Sequence, residues 1–155
     1  MNPRQRKILE FVQHDLGLDE RPYLALARGL GISEAQVVRQ IRLWQRQGVI
    51  RRFGAILDQR KLGLTSNCMC AWQVPRARLG AIGRRCQREP HISHCYARRP
   101  AKGWPYNFYT MLHCRSRSAC LAFIKRISQE CGIEDYRPLF TLRQFKKTSP
   151  KYAAK

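Results

Sequence analysis

Four histidines occur in the chain, at positions 14, 91, 94 and 113, and three of them lie in two distinctive runs. The first run is His91-Ile92-Ser93-His94-Cys95-Tyr96-Ala97-Arg98-Arg99-Pro100. The second is Trp104-Pro105-Tyr106-Asn107-Phe108-Tyr109-Thr110-Met111-Leu112-His113. Imidazole is the side chain whose charge changes near neutral pH, so in a site it acts as proton donor, base or metal ligand. A lone strand histidine is more often a packing residue, and His14 and His91 are read that way. His91 alternates to the face opposite His94, whereas Tyr96 shares the face of His94. Cys68-x-Cys70 places two thiols on one strand face, but two sulfurs without matching ligands make a poor zinc site, so no metal centre is expected. Cys95 is read as a buried structural thiol. Neither GxGxxG nor GxxxxGK followed by Ser or Thr occurs, so no dinucleotide or phosphate loop is expected.

The chain has 155 residues, 44% apolar and 26% charged, which suits one or two small globular domains and excludes disorder and fibre. Thirty Lys and Arg against ten Asp and Glu leave a net charge of +20. Residues 1–62 hold 12 basic and 6 acidic side chains, net +6, and residues 63–155 hold 18 and 4, net +14. Such a field attracts a polyanion without naming it. Nucleic acid, anionic lipid and a polycarboxylate ligand all stay open on charge alone. No apolar run approaches the roughly 18 residues of a membrane span, and the N-terminus lacks a secretory pattern. The seven cysteines are odd in number and lie mostly in apolar stretches, so reduced thiols in the cytoplasm are expected.

The elements that must position these residues fall into two domains. Residues 1–57 read as a winged helix-turn-helix. Asn2-Pro3 opens a first helix running to about His14, a second spans Tyr23 to Gly29, and Gly31 turns the chain. Ser33 caps a third helix whose core face is Val37, Ile41 and Trp44 and which Gly48 ends. Val49 to Leu57 is expected to form a strand pair, the wing. Arg39, Arg42 and Arg46 lie off the apolar stripe of the third helix, where they would meet DNA or merely solvate the helix. Residues 58–63 read as a linker and 148–155 as a tail.

Residues 64–147 read as β-α-β-β-α-β, the ferredoxin-like split unit of an α+β fold. Strands are expected over Leu64–Val74, His91–Arg98, Tyr106–Cys114 and Tyr136–Lys146, and helices over Arg76–Arg88 and Ser116–Cys131. A sheet covered by helices on one face should be polar on the other. Both alternating sets of the third strand carry large apolar side chains, so the second face is expected to meet another copy or a related chain.

The two domains, with RRFGAILDQRKLG between them, resemble the Lrp/AsnC family over nearly the whole length. The runs quoted above resemble the SHCYxR and WPYN-(F/L)-x-x-M-x-H signatures of siroheme decarboxylases, and the ending FKKTSPKY resembles that group's LKKTSxKYF, with Phe145 and Ala153 as departures. The resemblance implies a carboxy-lyase subunit of the HCY-bearing type that removes carbon dioxide from the two acetates of siroheme, giving didecarboxysiroheme for heme or d-type heme synthesis. It implies no cofactor beyond the iron tetrapyrrole substrate, since no electrons are lost. It also implies a second Lrp-like subunit as partner in a heterodimer or larger assembly; DNA binding is not expected, and a helix-turn-helix kept only as scaffold and dimerisation surface is compatible with it. His94 is then the general acid or an iron ligand, with His113 as its partner. Siroheme's carboxylates call for arginine forks, with Arg51, Arg52, Arg98 and Arg99 as candidates and Lys102 and Lys146 as weaker ones. Tyr96 would donate to a propionate, and Trp104 would cover the macrocycle. The competing readings are an Lrp/AsnC-type regulator and a heme-sensing module without catalysis.

Overall fold

A computed structural model describes residues 1–148 and Tyr152; the expected tail ending at 149–151 and 153–155 lies outside the described residues. The chain forms two compact units, one of Met1–Ile56 with which the residues from Lys146 onward are grouped, the other of Leu57–Phe145.

In the first unit, α1 (Pro3–Val12) starts where sequence chemistry requires. Asn2 accepts from the Gln5 amide at 2.8 Å, and the Gln5 side chain accepts from the Asn2 amide at 2.9 Å, a reciprocal cap ahead of Pro3. α2 (Leu24–Leu30) ends at Gly31, whose φ of 64° is left-handed. α3 (Glu34–Arg46) repeats the reciprocal cap with Ser33 and Gln36. Ile8, Ala27, Val37, Ile41 and Trp44 make the core between the helices. Arg39, Arg42 and Arg46 stand exposed on α3. The expected wing strands do not form: residues 49–57 have irregular backbone, with Val49, Phe53, Ile56 and Leu57 exposed. A two-stranded hairpin with no third strand or helix to bury its apolar face is marginal in water.

The second unit contains β1 (Ser66–Trp72), a 3₁₀ turn at Arg76–Arg78, α4 (Leu79–Gln87), β2 (Ile92–Ala97), β3 (Phe108–Cys114), α5 (Arg117–Cys131) and β4 (Tyr136–Phe140). The sheet order is β2-β3-β1-β4, antiparallel throughout. That is the ferredoxin-like arrangement expected. β4 stops well short of Lys146. Among the described residues it pairs with β1 alone, with Cys68 opposite Phe140, so pairing runs out as β1 begins at Ser66.

α4 and α5 cover one face of this sheet. Cys68, Cys70, Trp72, Phe108, Leu112 and Cys114 of the strands meet Ile82, Cys86, Cys120, Ile124 and Ile127 of the helices. Full burial of each large aliphatic side chain here contributes about 1.5–3 kcal/mol. The one polar pair in this layer is satisfied internally, since Trp72 Nε1 donates to Thr110 Oγ1 at 2.9 Å. At the rim, Arg126 on α5 donates to Glu89 at 2.9 Å and to Glu130 at 2.8 Å, and Arg85 on α4 pairs with the same two carboxylates.

The hydrogen bond from Arg126, aided by that from Arg85, holds the Glu89 carboxyl below its ordinary value of 4.5 against an opposing desolvation. A depressed carboxyl pKa adds stability that is complete above the unfolded value and is lost as pH falls through the lower folded value. Thermal unfolding should therefore show Tm falling as pH drops from about 5 to about 3. Glu89→Gln should lower Tm at neutral pH and flatten that fall.

Candidate active site

Strand alternation alone would turn His94 inward. Ile92 sits opposite Leu112 and packs against the helix-side core, so a regular strand would bring His94 to the same side. The register instead shifts between Ile92 and His94, and His94 sits opposite Met111. Ser93 is the extra residue of a β-bulge, and it reverses the parity of the rest of β2. Cys95 thereby joins the core side, and His94 and Tyr96 go to the face away from the helices, with ring centroids 6.0 Å apart. Met111 and Tyr109 of β3 share that face, opposite His94 and Tyr96 in register.

His113 lies two residues beyond Met111 and is opposite Asn67 of β1. A continuous chain of hydrogen bonds connects the two histidines. Ser93 Oγ lies 2.9 Å from His94 Nδ1 and 2.7 Å from His113 Nε2. His113 Nδ1 lies 2.8 Å from Asn67 Oδ1, which also accepts from Gln59 Nε2 at 2.7 Å. Gln59 comes from the segment expected to be a linker. That segment is a tight turn in which the Leu64 amide donates to the Gln59 carbonyl at 2.9 Å and Gly63 adopts a φ of 81°. His91 is elsewhere, its ring 5.6 Å from Phe123 of α5.

The second run builds the wall beside this chain. Trp104 Nε1 donates to the Tyr109 hydroxyl at 2.8 Å, and that hydroxyl donates to the Tyr106 carbonyl at 3.1 Å. The Arg98 guanidinium stacks 5.5 Å from the centre of the Tyr109 ring, while its backbone amide donates to the Asn107 carbonyl at 2.8 Å. Asn107 is buried and clamps β3 to the end of β1: its Oδ1 accepts from the Val74 amide at 2.9 Å and its Nδ2 donates to the Val74 carbonyl at 2.7 Å.

The second unit thus brings together His94, His113, Tyr96, Arg98 and Trp104. Arg99 follows Arg98 and is exposed, and Lys102 occupies the turn between Ala101 and Trp104. Arg51 and Arg52 belong to the first unit, exposed in the irregular segment after α3, and Lys146 is grouped with that unit. Sequence reasoning missed Ser93, Asn67, Gln59 and Tyr109. Ser93 was visible inside its motif, but its part depends on the bulge, and Asn67 and Gln59 carry no motif.

Among the described residues no carboxylate is bonded to this cluster. Glu89 and Glu130 are engaged by Arg85 and Arg126, and Asp135 is held by the Tyr106 hydroxyl at 2.9 Å and Arg137 at 3.4 Å. The face accordingly offers a guanidinium and imidazoles to an anionic ligand. Burial keeps the thiols of Cys68, Cys70, Cys86 and Cys114 protonated at neutral pH. Burial pushes Cys68 up to about 11 and Cys86 and Cys114 up to about 12, and raises Cys70 further. No group of three or more metal-binding side chains occurs among the described residues.

Two family models match the chain: a siroheme decarboxylase NirDL-like helix-turn-helix domain over residues 5–51, and an AsnC-like ligand-binding domain over residues 61–146. The siroheme decarboxylase beta subunit of Methanosarcina barkeri is 38% identical, the match covering 96% of this chain and 97% of that one. That of Desulfovibrio desulfuricans is 37% identical over 97% of this chain and 96% of its own. Among solved structures, the siroheme decarboxylase NirDL in complex with an iron-uroporphyrin III analogue superposes with a TM-score of 0.72 at 28% identity. That match covers 99% of this chain and 48% of the other. Escherichia coli AsnC superposes at 0.82 with 18% identity over 98% of this chain and 99% of its own, a likeness of fold.

Removing the Asn107 clamp would strand a buried backbone donor and acceptor. Asn107→Ala should destabilise the chain by about 2–3 kcal/mol in denaturant titration, and Asn107→Asp, whose second carboxylate oxygen would face the Val74 carbonyl, should cost at least as much at neutral pH.

Proposed function

The chain belongs to the siroheme decarboxylase family of AsnC-like proteins, and from this premise we propose that it is a subunit that removes carbon dioxide from the acetate side chains of siroheme. The observation that carries the reading is the His94–Ser93–His113 chain beside Arg98 and Tyr109.

For each acetate, the bond between the methylene carbon and the carboxylate breaks and its electron pair stays on carbon. Carbon dioxide leaves, and one proton delivered to that carbon completes a methyl group. The change is redox-neutral, so the chemistry calls for a proton donor and a grip on the remaining carboxylates rather than an electron carrier. His94 supplies the proton through Nε2; the same nitrogen is the one that would bind the substrate's iron in the alternative role. His113 supports His94 through Ser93. Arg98 and Arg99 pair with propionate or acetate groups, because a guanidinium meets a carboxylate with two parallel bonds and stays charged. Tyr96 donates to a carboxylate, and Trp104 covers the ring face.

The apolar side chains left on the open face, Met69 and Leu139 at 39% exposure each, fit association with a second, related chain. Relatives are named beta, NirL and NirH subunits, and the siroheme decarboxylase of Hydrogenobacter thermophilus, of which this chain matches 46%, is long enough for two such units. We place the assembly in the cytoplasm, where its seven free thiols stay reduced; among the described residues no helix is long and apolar enough to cross a membrane. The exposed Arg39, Arg42 and Arg46 support a second reading, duplex binding through α3.

Anaerobic incubation with siroheme, with and without the related chain, followed by mass spectrometry, should show successive loss of two carbon dioxides. His94→Ala should lower kcat about a hundredfold or more, and Arg98→Ala should raise KM several-fold with a smaller effect on kcat. Bound but unaltered siroheme in the presence of the partner would overturn the assignment. Duplex binding with a steep salt slope, reduced in Arg42→Ala, would then favour the regulator.

A further inference from the structure

The bonds around Asn67 determine where the protons of both imidazoles lie. A carbonyl oxygen only accepts, and Asn67 Oδ1 receives Gln59 Nε2 at 2.7 Å while facing His113 Nδ1 at 2.8 Å. His113 Nδ1 therefore carries hydrogen, and in the neutral ring Nε2 carries a lone pair. Ser93 Oγ, 2.7 Å from that Nε2, donates its single proton there; the other acceptor in reach, the Met111 carbonyl, is at 3.4 Å. With its proton committed, the serine oxygen meets His94 Nδ1 at 2.9 Å as an acceptor. His94 Nδ1 carries hydrogen in turn. The polarity runs from His94 through Ser93 to His113 and ends at an amide oxygen held from behind by Gln59.

We infer that Ser93 and Asn67 are positioning residues that hold both histidines with the proton on Nδ1, so that His94 presents Nε2 as its reactive nitrogen. Among the described residues His94 Nε2 has no hydrogen-bond partner, and His94 is exposed. A charged His94 gives up the Nε2 proton because the Nδ1 proton is tied to Ser93, and the neutral ring left behind is already in its bonded tautomer. An imidazole free in water favours the opposite tautomer, so the protein must supply this preference. The β-bulge makes it possible: without the extra residue, the hydroxyl that bridges the rings and the ring it bridges to would lie on opposite faces of β2. Gln59 and Gly63 explain why the turn before β1 is ordered, since the turn holds the far end of the chain.

This assignment rests on the reading of His94 as the reacting imidazole, yet hydrogen positions are measurable without substrate. Two-bond ¹H–¹⁵N correlation spectra of the full ligand-free chain, taken at mildly alkaline pH, should show pyrrole-type Nδ1 and pyridine-type Nε2 for both His94 and His113. In Ser93→Ala the His94 pattern should revert toward Nε2–H while His113 keeps Nδ1–H, and Ser93→Thr should retain the wild-type pattern. With siroheme, Ser93→Ala should lower kcat about ten- to a hundredfold with KM changed less than about twofold, and Ser93→Thr should recover most of the loss. Either ring found in the Nε2–H form in the wild type, or a His94 pattern unchanged by Ser93→Ala, would overturn the inference. Loss of activity in Ser93→Thr equal to that in Ser93→Ala, in a chain whose amide spectrum remains native, would also overturn it, since the hydroxyl would then not be what matters. Absence of turnover by the wild type with the related chain present would refute the decarboxylase reading and leave the spectra to judge the tautomers.

Discussion

Between Ile92, opposite Leu112, and His94, opposite Met111, β2 carries one residue that β3 does not match. Side chains of a strand alternate faces, so a single inserted residue reverses the side on which every later residue falls. Here the reversal lets Ile92 and Cys95 both pack against the helix-side core while Ser93, His94 and Tyr96 all reach the opposite face. The two-histidine chain, the stacking of Tyr96 and the bridging hydroxyl follow from that insertion. Bulges near sites re-aim side chains at the expense of local pairing, and β2 tolerates one because, among the described residues, it is an edge strand paired with β3 alone.

A bulged edge strand needs a rigid neighbour. β3 provides it, being paired on both sides and filled from below by Leu112, Phe108 and Thr110, the last of which satisfies the indole of Trp72. The start of β3 is fastened to the end of β1 by the two bonds of Asn107 to Val74. The run from Trp104 to Asn107 is thus a structural device as much as a chemical one. Trp104 is oriented by Tyr109, Tyr106 by Asp135, and Arg98 by both its backbone and the Tyr109 ring.

Charge is distributed with the same economy. Glu89, Glu130 and Asp135 of the second unit pair with arginines, where the first two brace α4 against α5 and the third anchors Tyr106. The open face keeps imidazoles, guanidinium groups and aromatic rings. Such a surface suits the flat, many-carboxylate substrate proposed for it, which requires stacking area as well as cations.

Much of this was legible in the sequence. Reciprocal caps at Asn2 and Ser33, the stripe of Val37, Ile41 and Trp44, and the order of strands and helices in the second domain are local patterns, and local patterns are what periodicity reads. The wing was misread because Val49 to Leu57 has strand-like residues of which Ile50 packs on the helical core while Val49, Phe53, Ile56 and Leu57 stay exposed. The last strand was read too long because its length depends on where β1 begins, a property of the partner rather than of the segment. His94, His113, Tyr96 and Arg98 were named from motifs, yet nothing local linked the histidines. Residues 59, 67, 93 and 113 are joined by side-chain bonds that exist only after β1, β2 and β3 have paired in one register with one bulge. The sequence by itself determined which elements form and which side chains are able to carry the chemistry, because those follow from spacing along the chain. The tertiary structure decided the face on which His94 emerges and the atoms it touches, because those depend on pairing between segments far apart in sequence.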